Sequence, residues 1–347
     1  MPPRGGERSL ATRLAWTAHV VRRAPFEARF PFRPPAAIER AQTRRLAATV
    51  AHAHEHVPYY RETMRRIGLA PGEVRSVADL ARLPLIERDQ VQRDPEYFLS
   101  RAEPLDSYVE LRSGGSTGDP LSLFHHPFSL FEQAVYTERR RSIISRLARR
   151  YRYREARVAD IPGSYAGAQH VARAFKGLSL APPALRVRRR QYEALTPLEE
   201  LIPRDGMSES ARTMISREFG VEVLSTYTAS EAFQIGFECE HHRGHHLNVD
   251  LFPVRIISDQ GRNMPDGESG EVVVSNLQAR GTILLNYRLN DIAARRPGRC
   301  PCGRTLPLLS LVQGRSDEWL EDAQGGASIL RRRASSSMTS SRCCAFS

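Results

Sequence analysis

The sequence predicts an α/β fold, and three features of it do so. Its first part carries apolar residues near helical spacing, among them Ile38, Leu46, Val50, Tyr60 and Met64. A strand-like run at 108–112 then enters a loop of glycines and hydroxyls and leaves it into a second strand-like run at 121–124. From Leu251 onward, short β-branched runs alternate with turns such as Asp266-Gly267. With 347 residues, 41% of them hydrophobic, the chain is long enough to bury a large core.

Taken in order, residues 8–23 fit a basic amphipathic helix, although the density of arginine there also fits a solvated arm. Residues 36–67 read as helix, and Pro58 divides them into two helices, because proline removes a backbone donor and clashes with the preceding turn. Leu83-Pro84-Leu85 leads into a short helix at 87–91, and 128–149 reads as one long helix. Residues 151–203 show few clear elements. A helix at 207–219 and a buried strand at 221–225 follow, then strands at 254–257, 271–275 and 283–287. From Gln324 the chain turns to glycine, arginine and serine without periodicity and is expected to lack structure.

Composition narrows the function. The net charge of +12 invites a nucleic-acid partner, but Lys176 is the only lysine among the 51 basic residues. An arginine skew that touches every segment reads as a bias of the whole chain rather than as a binding patch, so nucleic acid is the lesser reading. No apolar run approaches the ~20 residues of a membrane span. The arginine-rich start has no continuous apolar stretch of the signal-peptide kind, so a cytoplasmic location is the expectation. Of five cysteines, Cys343 and Cys344 lie in the unusual tail, leaving Cys239, Cys300 and Cys302. Three thiols cannot all pair, and a cytoplasmic chain keeps them reduced, so a metal site is favoured over disulfides.

Four motifs carry chemistry. In Ser113-Gly114-Gly115-Ser116-Thr117-Gly118-Asp119-Pro120 the glycines let backbone N–H groups approach a polyphosphate, and Ser113, Ser116 and Thr117 add hydroxyls. No lysine follows, so this is not the Walker loop. Taken alone it is equally a flexible hairpin connection. Tyr227-Thr228-Ala229-Ser230-Glu231 follows the strand expected at 221–225. Glu231 has the chemistry to hold Mg²⁺ and Tyr227 to stack on a base. A buried tyrosine beside a surface glutamate is the plain alternative. Asp291 ends Asn286-Tyr287-Arg288-Leu289-Asn290-Asp291 and has the oxygens to accept two ribose hydroxyls. Gly314-Arg315-Ser316-Asp317 places a cation and an anion two residues apart, although a simple turn would do the same.

The ordered set of motifs, with His56-Val57-Pro58-Tyr59-Tyr60, Leu83-Pro84-Leu85 and Cys300-Pro301-Cys302-Gly303-Arg304, resembles the phenylacetate–coenzyme A ligases. These form a branch of the adenylate-forming enzymes that includes capsule-biosynthesis homologues. The resemblance covers residues 36–320, so 1–35 would be a basic arm and 321–347 a structureless tail. It implies a large adenylation domain of layered sheets and helices with a β-rich portion. It also implies ATP-dependent activation of a carboxylic acid, an aryl acid such as phenylacetate, to an acyl-adenylate and then a coenzyme A thioester. In that scheme Ser113, Gly114, Gly115, Ser116, Thr117 and Gly118 wrap the ATP phosphates, and Tyr227 packs on adenine. Ser230 and Glu231 lie near the α-phosphate and Mg²⁺, Asp291 binds the ribose, Arg315 reaches ribose or phosphate, and Asp317 is the hinge of a C-terminal lid. Similar ligases also join a Cys, a Gly-x-His and a Cys-x-Cys, which here selects Cys239, His246, Cys300 and Cys302 for a structural Zn²⁺ ion. His245 is the competing histidine, and a solvated histidine loop beside buried cysteines is the alternative.

Two departures qualify the implied activity. Only 30 residues follow Asp317 and none is lysine, so the lid and the lysine that the resemblance would place there are missing and adenylation is expected to be slow. Between Leu195 and Asp205 the sequence lacks a helix and a strand that similar proteins carry, leaving the domain incomplete around 195–206. The reading from a different class is a non-catalytic nucleotide-binding or zinc-stabilised protein.

Overall fold

The computed structural model describes residues 10–112, 121–147, 149, 154–159, 188–193, 209–220, 222–315, 319–321 and 327–329. Helix α1 (Leu10–Arg29) runs longer than the stretch expected to be helical. It is docked rather than a solvated arm. Trp16 packs against Phe128 and Phe131 with ring centroids 5.3 and 5.6 Å apart. Glu27, near its end, is buried and pairs with Arg139 at 2.6 Å. Arg139 also holds Asp250 at 2.7 Å, so one fully buried guanidinium ties α1 to the loop before the second half of the sheet.

Helix α2 (Pro35–His56) buries Ile38, Ala41, Leu46, Thr49, Val50 and Ala53, one stripe at helical spacing. It ends at Val57, whose extended backbone is what a following proline demands. Pro58 then opens α3 (Pro58–Ile67), where a missing N–H costs nothing. The break expected at Pro58 is present. Helix α4 (Arg88–Arg93) is the short helix after Leu83-Pro84-Leu85.

Strands β1 (Val109–Arg112) and β2 (Ser122–His125) form an antiparallel pair in which Arg112 lies opposite Ser122. The loop at 113–120 lies outside the described residues, but its two flanks are therefore the arms of one hairpin. The single long helix expected at 128–149 is two, α5 (Pro127–Tyr136) and α6 (Glu138–Leu147). At the joint the hydroxyl of Thr137 bonds back to the carbonyl of Gln133 at 2.7 Å, a local bond that competes with the helix ladder.

The stretch expected to be irregular holds β3 (Arg154–Ala159) and β4 (Arg188–Glu193), which pair in parallel. Their arginine-rich sequences hide the strand pattern. The proposed gap at 195–206 lies outside the described residues. Helix α7 (Glu209–Phe219) agrees with expectation. The strand expected at 221–225 is displaced, since β5 covers Thr226–Ala229.

Seven strands make the central sheet: β5, β6 (Phe233–Phe237), β7 (His245–Leu247), β8 (Val254–Ile257), β9 (Ser269–Val274), β10 (Tyr287–Arg296) and β11 (Leu308–Arg315). Their spatial order is β5-β6-β7-β11-β10-β9-β8, antiparallel throughout. The strand expected at 283–287 begins only at Tyr287, because Asn286 sits at φ 68°, in the left-handed region that interrupts extended chain. Strands β8, β9 and β10 bury Val254, Ile256, Val272, Val274, Tyr287 and Leu289 in one core with α2 and α3. Short strand β12 (Trp319–Glu321), just before the stretch expected to be structureless from Gln324, pairs with β13 (Ala327–Ile329) inside it. No helix among the described residues is long and apolar enough to cross a membrane.

Candidate functional site

Two clusters of chemistry-bearing residues lie at opposite ends of the central sheet. The first gathers around the start of β10. Tyr227 on β5 donates its hydroxyl to Oδ2 of Asp291 on β10 at 2.7 Å, so strands at different places in the sheet order are joined by side chains. Asp291 lies directly opposite Arg315 in the β10–β11 pairing, and the register shifts immediately after it. Asn290, at φ 60°, accompanies that irregularity. A bulge of this kind re-aims a side chain, and here the side chain is the carboxylate.

Glu231 stands in the turn from β5 to β6 and is mostly buried. Tyr287 donates its O–H to Oε1 of Glu231 at 3.0 Å, and Ser230 donates to Oε2 at 3.1 Å. The Arg88 guanidinium, on α4, lies 3.7 Å from Oε1. Asn276 donates from Nδ2 to the backbone carbonyl of Glu231 at 2.9 Å, fixing the turn itself. Burial, and then the neighbouring carboxylate, push the Tyr287 phenol well above its ordinary pKa, so it stays a proton donor. Each carboxylate thus takes a hydrogen bond from one tyrosine.

Of the residues singled out in the sequence, Tyr227, Ser230, Glu231, Asp291 and the backbone of Arg315 come to this end of the sheet. Ser113, Gly114, Gly115, Ser116, Thr117, Gly118 and Asp317 lie outside the described residues. Sequence reasoning gave no role to Tyr287, Arg88 or Asn276. Tyr287 was visible within the motif ending at Asp291. Arg88 carried no signal among so many arginines.

The second cluster lies at the other end of the same strands. Cys239 follows β6, His246 is on β7, and Cys300 and Cys302 sit in the connection from β10 to β11. Their ligand atoms all lie within 4.8 Å of one another. Sγ of Cys239 is 3.6 Å from Sγ of Cys300, and Sγ of Cys302 is 3.3 Å from Nε2 of His246. Four ligands at ordinary zinc distances around a tetrahedral ion stand ~3.5–3.8 Å apart, so the donor set and its spacing fit such an ion.

Strand alternation decides between the two histidines. His246 turns toward the thiols, whereas His245 points Nε2 at the hydroxyl of Ser225, 3.1 Å away. Gly244 lets β7 start where it does. Its φ is 97°, and a Cβ there would lie 2.5 Å from the carbonyl oxygen of Leu309 on β11. Burial pushes the Cys239 thiol up to about 12. Burial also pushes Cys302 up, but the Arg304 N–H and guanidinium outweigh it and hold that thiol below its ordinary value. Burial lowers His246 to about 4, keeping the imidazole neutral.

No protein-family model matches the chain. The sequence is similar to the phenylacetate–coenzyme A ligase of Thermus thermophilus, 25% identical over 80% of this chain and 70% of that protein. The corresponding ligase of Escherichia coli is also 25% identical, over 82% of this chain and 72% of its own length. Among solved structures, a 2-hydroxyisobutyryl-CoA ligase in its postadenylation state superposes with a TM-score of 0.63 at 16% identity, covering 85% of this chain and 71% of that one. The mixed helix-and-sheet fold is that of the adenylate-forming ligases.

Proposed function

We propose that this chain binds ATP at the start of β10 and uses it to activate a carboxylic acid, an aryl acid by preference, to an acyl-adenylate that coenzyme A then captures as a thioester. What supports this most is the convergence of Tyr227, Glu231, Asp291 and Arg315 from three separate segments at one end of the sheet. The similarity to phenylacetate–coenzyme A ligases points the same way.

In this reading Asp291 accepts the ribose hydroxyls. Tyr227 packs against the adenine, and Arg315, opposite Asp291, reaches ribose or phosphate. Residues 113–118 would supply backbone N–H groups and hydroxyls to the β- and γ-phosphates, and Asp317 would be the hinge position of a lid. Glu231, braced by Tyr287 and Ser230, is the side chain that would hold Mg²⁺, which when bound neutralises charge on the phosphates. The carboxylate of the acid attacks the α-phosphorus in line, the bond to the bridging oxygen breaks, and pyrophosphate leaves. Fixed donors matter most because negative charge grows on the phosphoryl oxygens in that step. The thiol of coenzyme A then attacks the acyl carbon, loses its proton and expels AMP.

Cys239, His246, Cys300 and Cys302 are proposed to hold a structural zinc ion, closed by four protein ligands and therefore without a position for substrate. A cytoplasmic location accompanies this reading, since the thiols must stay reduced to bind metal.

The test is ATP binding by calorimetry, followed by pyrophosphate release with a panel of aryl and alkyl acids. The one lysine, Lys176, lies between the 113–120 motif and Tyr227, and binding is the first readout. Micromolar ATP binding with acid-dependent pyrophosphate release is expected. Absence of ATP binding would end the proposal. Binding without turnover on any acid would favour a nucleotide-binding protein that does no chemistry.

A further inference from the structure

A helix on the surface of a folded chain ordinarily turns apolar residues to the core and charged ones to water. Helix α1 departs from that order. The side that packs on α5 and α6 carries its polar pairs. His19 lies 3.1 Å from Glu132, Arg23 lies 2.7 Å from Glu27, and Glu27 lies 2.6 Å from Arg139. Trp16 is the aromatic contact on that side.

The outer side is apolar. At 3.6 residues per turn, Leu10, Leu14, Val21 and Pro25 fall in one stripe along the helix. Leu10, Leu14 and Val21 are 62%, 53% and 52% exposed. Phe26, 59% exposed, stands at the margin of the same half of the helix. The small residues Ala11, Ala15 and Ala18 are exposed with them. One exposed leucine needs no account, but eight apolar residues exposed along one side of a 20-residue helix do.

Charge narrows what covers this side. Among the described side chains of α1, the charged ones exposed with the stripe are Arg22 and Arg29, which run beside it. The one acidic residue of the helix is Glu27, and it is buried. A second copy of this chain is the poorer occupant. A two-fold interface brings the same patch from both subunits, so arginines would crowd together with no carboxylate of the helix to offset them. An anionic lipid surface complements both features. Leucine, valine and phenylalanine enter the boundary between headgroups and acyl chains, while the arginines lay their stems along it and pair with the phosphates. No described helix is apolar enough to cross a membrane, and α1, ~30 Å long, has the length to lie in the plane of one.

We infer that the outer side of α1 is a docking surface for an anionic bilayer, on which the chain rests reversibly with the helix parallel to the membrane plane. The cytoplasmic leaflet, with its negative surface potential, has that chemistry. Docking is independent of the ATP chemistry proposed at the start of β10, since none of the residues proposed to bind nucleotide lies on α1.

The experiment is flotation of the full chain with vesicles of phosphatidylcholine alone and of phosphatidylcholine mixed with phosphatidylglycerol. Binding to the mixed vesicles is expected to exceed binding to phosphatidylcholine by at least ~10-fold at low salt and to weaken as salt rises. L14S combined with V21S removes apolar contact and keeps every charge, and should cut binding to the mixed vesicles by ~10-fold or more. R22Q combined with R29Q should erase most of the preference for the anionic lipid. Because these side chains face water in the free chain, both double variants should melt within about 2 °C of wild type. A fall of several degrees would mean that the side is covered within the folded chain, and the inference would be overturned. Equal binding of wild type to the two kinds of vesicle, or binding to neither, overturns it without any variant. Unchanged binding of the L14S and V21S double variant overturns it as well, because charge alone would then account for the attraction. A dimer seen by light scattering, dissolved by L14S with V21S and indifferent to vesicles, would give the surface to a second copy instead.

Discussion

Where β10 and β11 meet at one end of the sheet, Asp291 faces Arg315 and takes a hydrogen bond from Tyr227. At the other end, past the pairing of Arg296 with Leu308, Cys300 and Cys302 close on Cys239 and His246. Five residues of extended chain, ~17 Å, separate the two ends. One cluster is oxygen-rich, built from carboxylates that each take a hydrogen bond from a tyrosine. The other is sulfur- and nitrogen-rich, with four ligand atoms within 4.8 Å of one another. Under the proposed function, the same pair of strands presents a hard end for a transient ligand and a soft end for a permanent one.

The most severe way to break this comparison is to remove the soft end. C300S, or prolonged chelation, is expected to strip the metal and lower the melting temperature by on the order of 10 °C, because binding energy at a structural site is folding energy. ATP affinity should fall as well, since the connection that sets the β10–β11 register would loosen. One equivalent of zinc in the purified protein is the accompanying expectation. Under half an equivalent, with no change in C300S, would remove the metal from the account and leave a cluster of reduced thiols.

A milder substitution acts on the hard end alone. D291A should weaken ATP binding by ~30-fold, the loss expected for a charge-assisted pair of hydrogen bonds, while the melting temperature shifts by no more than about 3 °C. The asymmetry between the two variants is the informative quantity. If D291A melted as early as C300S, the Tyr227–Asp291 bond would be a structural staple and not half of a ligand site.

How much of this was legible in the sequence follows from residue frequency and spacing. Five cysteines in 347 residues are few enough that Cys239 and Cys300-Pro301-Cys302 stood out, and Gly244 two positions before His246 pointed to the histidine that the fold turns toward them. Carboxylates number 39, so Glu231 and Asp291 were visible only through the order of the motifs around them. Helices α2 and α3 were legible because Pro58 writes their boundary into the chain. The start of β10 was misplaced because Asn286 interrupts an otherwise apolar run by a backbone angle and not by a composition change. The pair β3 and β4 was missed because runs such as Arg188-Arg189-Arg190 carry no apolar alternation to read. His125 was illegible for a different reason. Its Nε2 has no hydrogen-bond partner among the described residues, and that leaves no mark on the sequence.

Acid separates the two ends by a smaller effect. With its pKa lowered from the ordinary 6.5 to about 4 by burial, His125 is neutral in the folded chain and protonated in the unfolded chain between those values. The unfolded state then binds more protons, so stability falls as pH drops through that window and is unaffected by this group above about 6.5. The slope for one such histidine is ~1.4 kcal/mol per pH unit. Thiolates bound to a metal would respond in the same direction, because protons compete for the ligands, and the wild-type curve alone cannot divide the two contributions. Substituting His125 by phenylalanine removes the first and leaves the second. Melting temperatures between pH 7 and pH 5 should therefore decline less steeply in H125F than in wild type, and the decline that remains belongs to His52 and His246, which burial also lowers to about 4, and to the metal ligands. Parallel curves for wild type and H125F would mean that His125 gains a proton-accepting partner in solution, and the acid response would belong to the other buried histidines and the soft end.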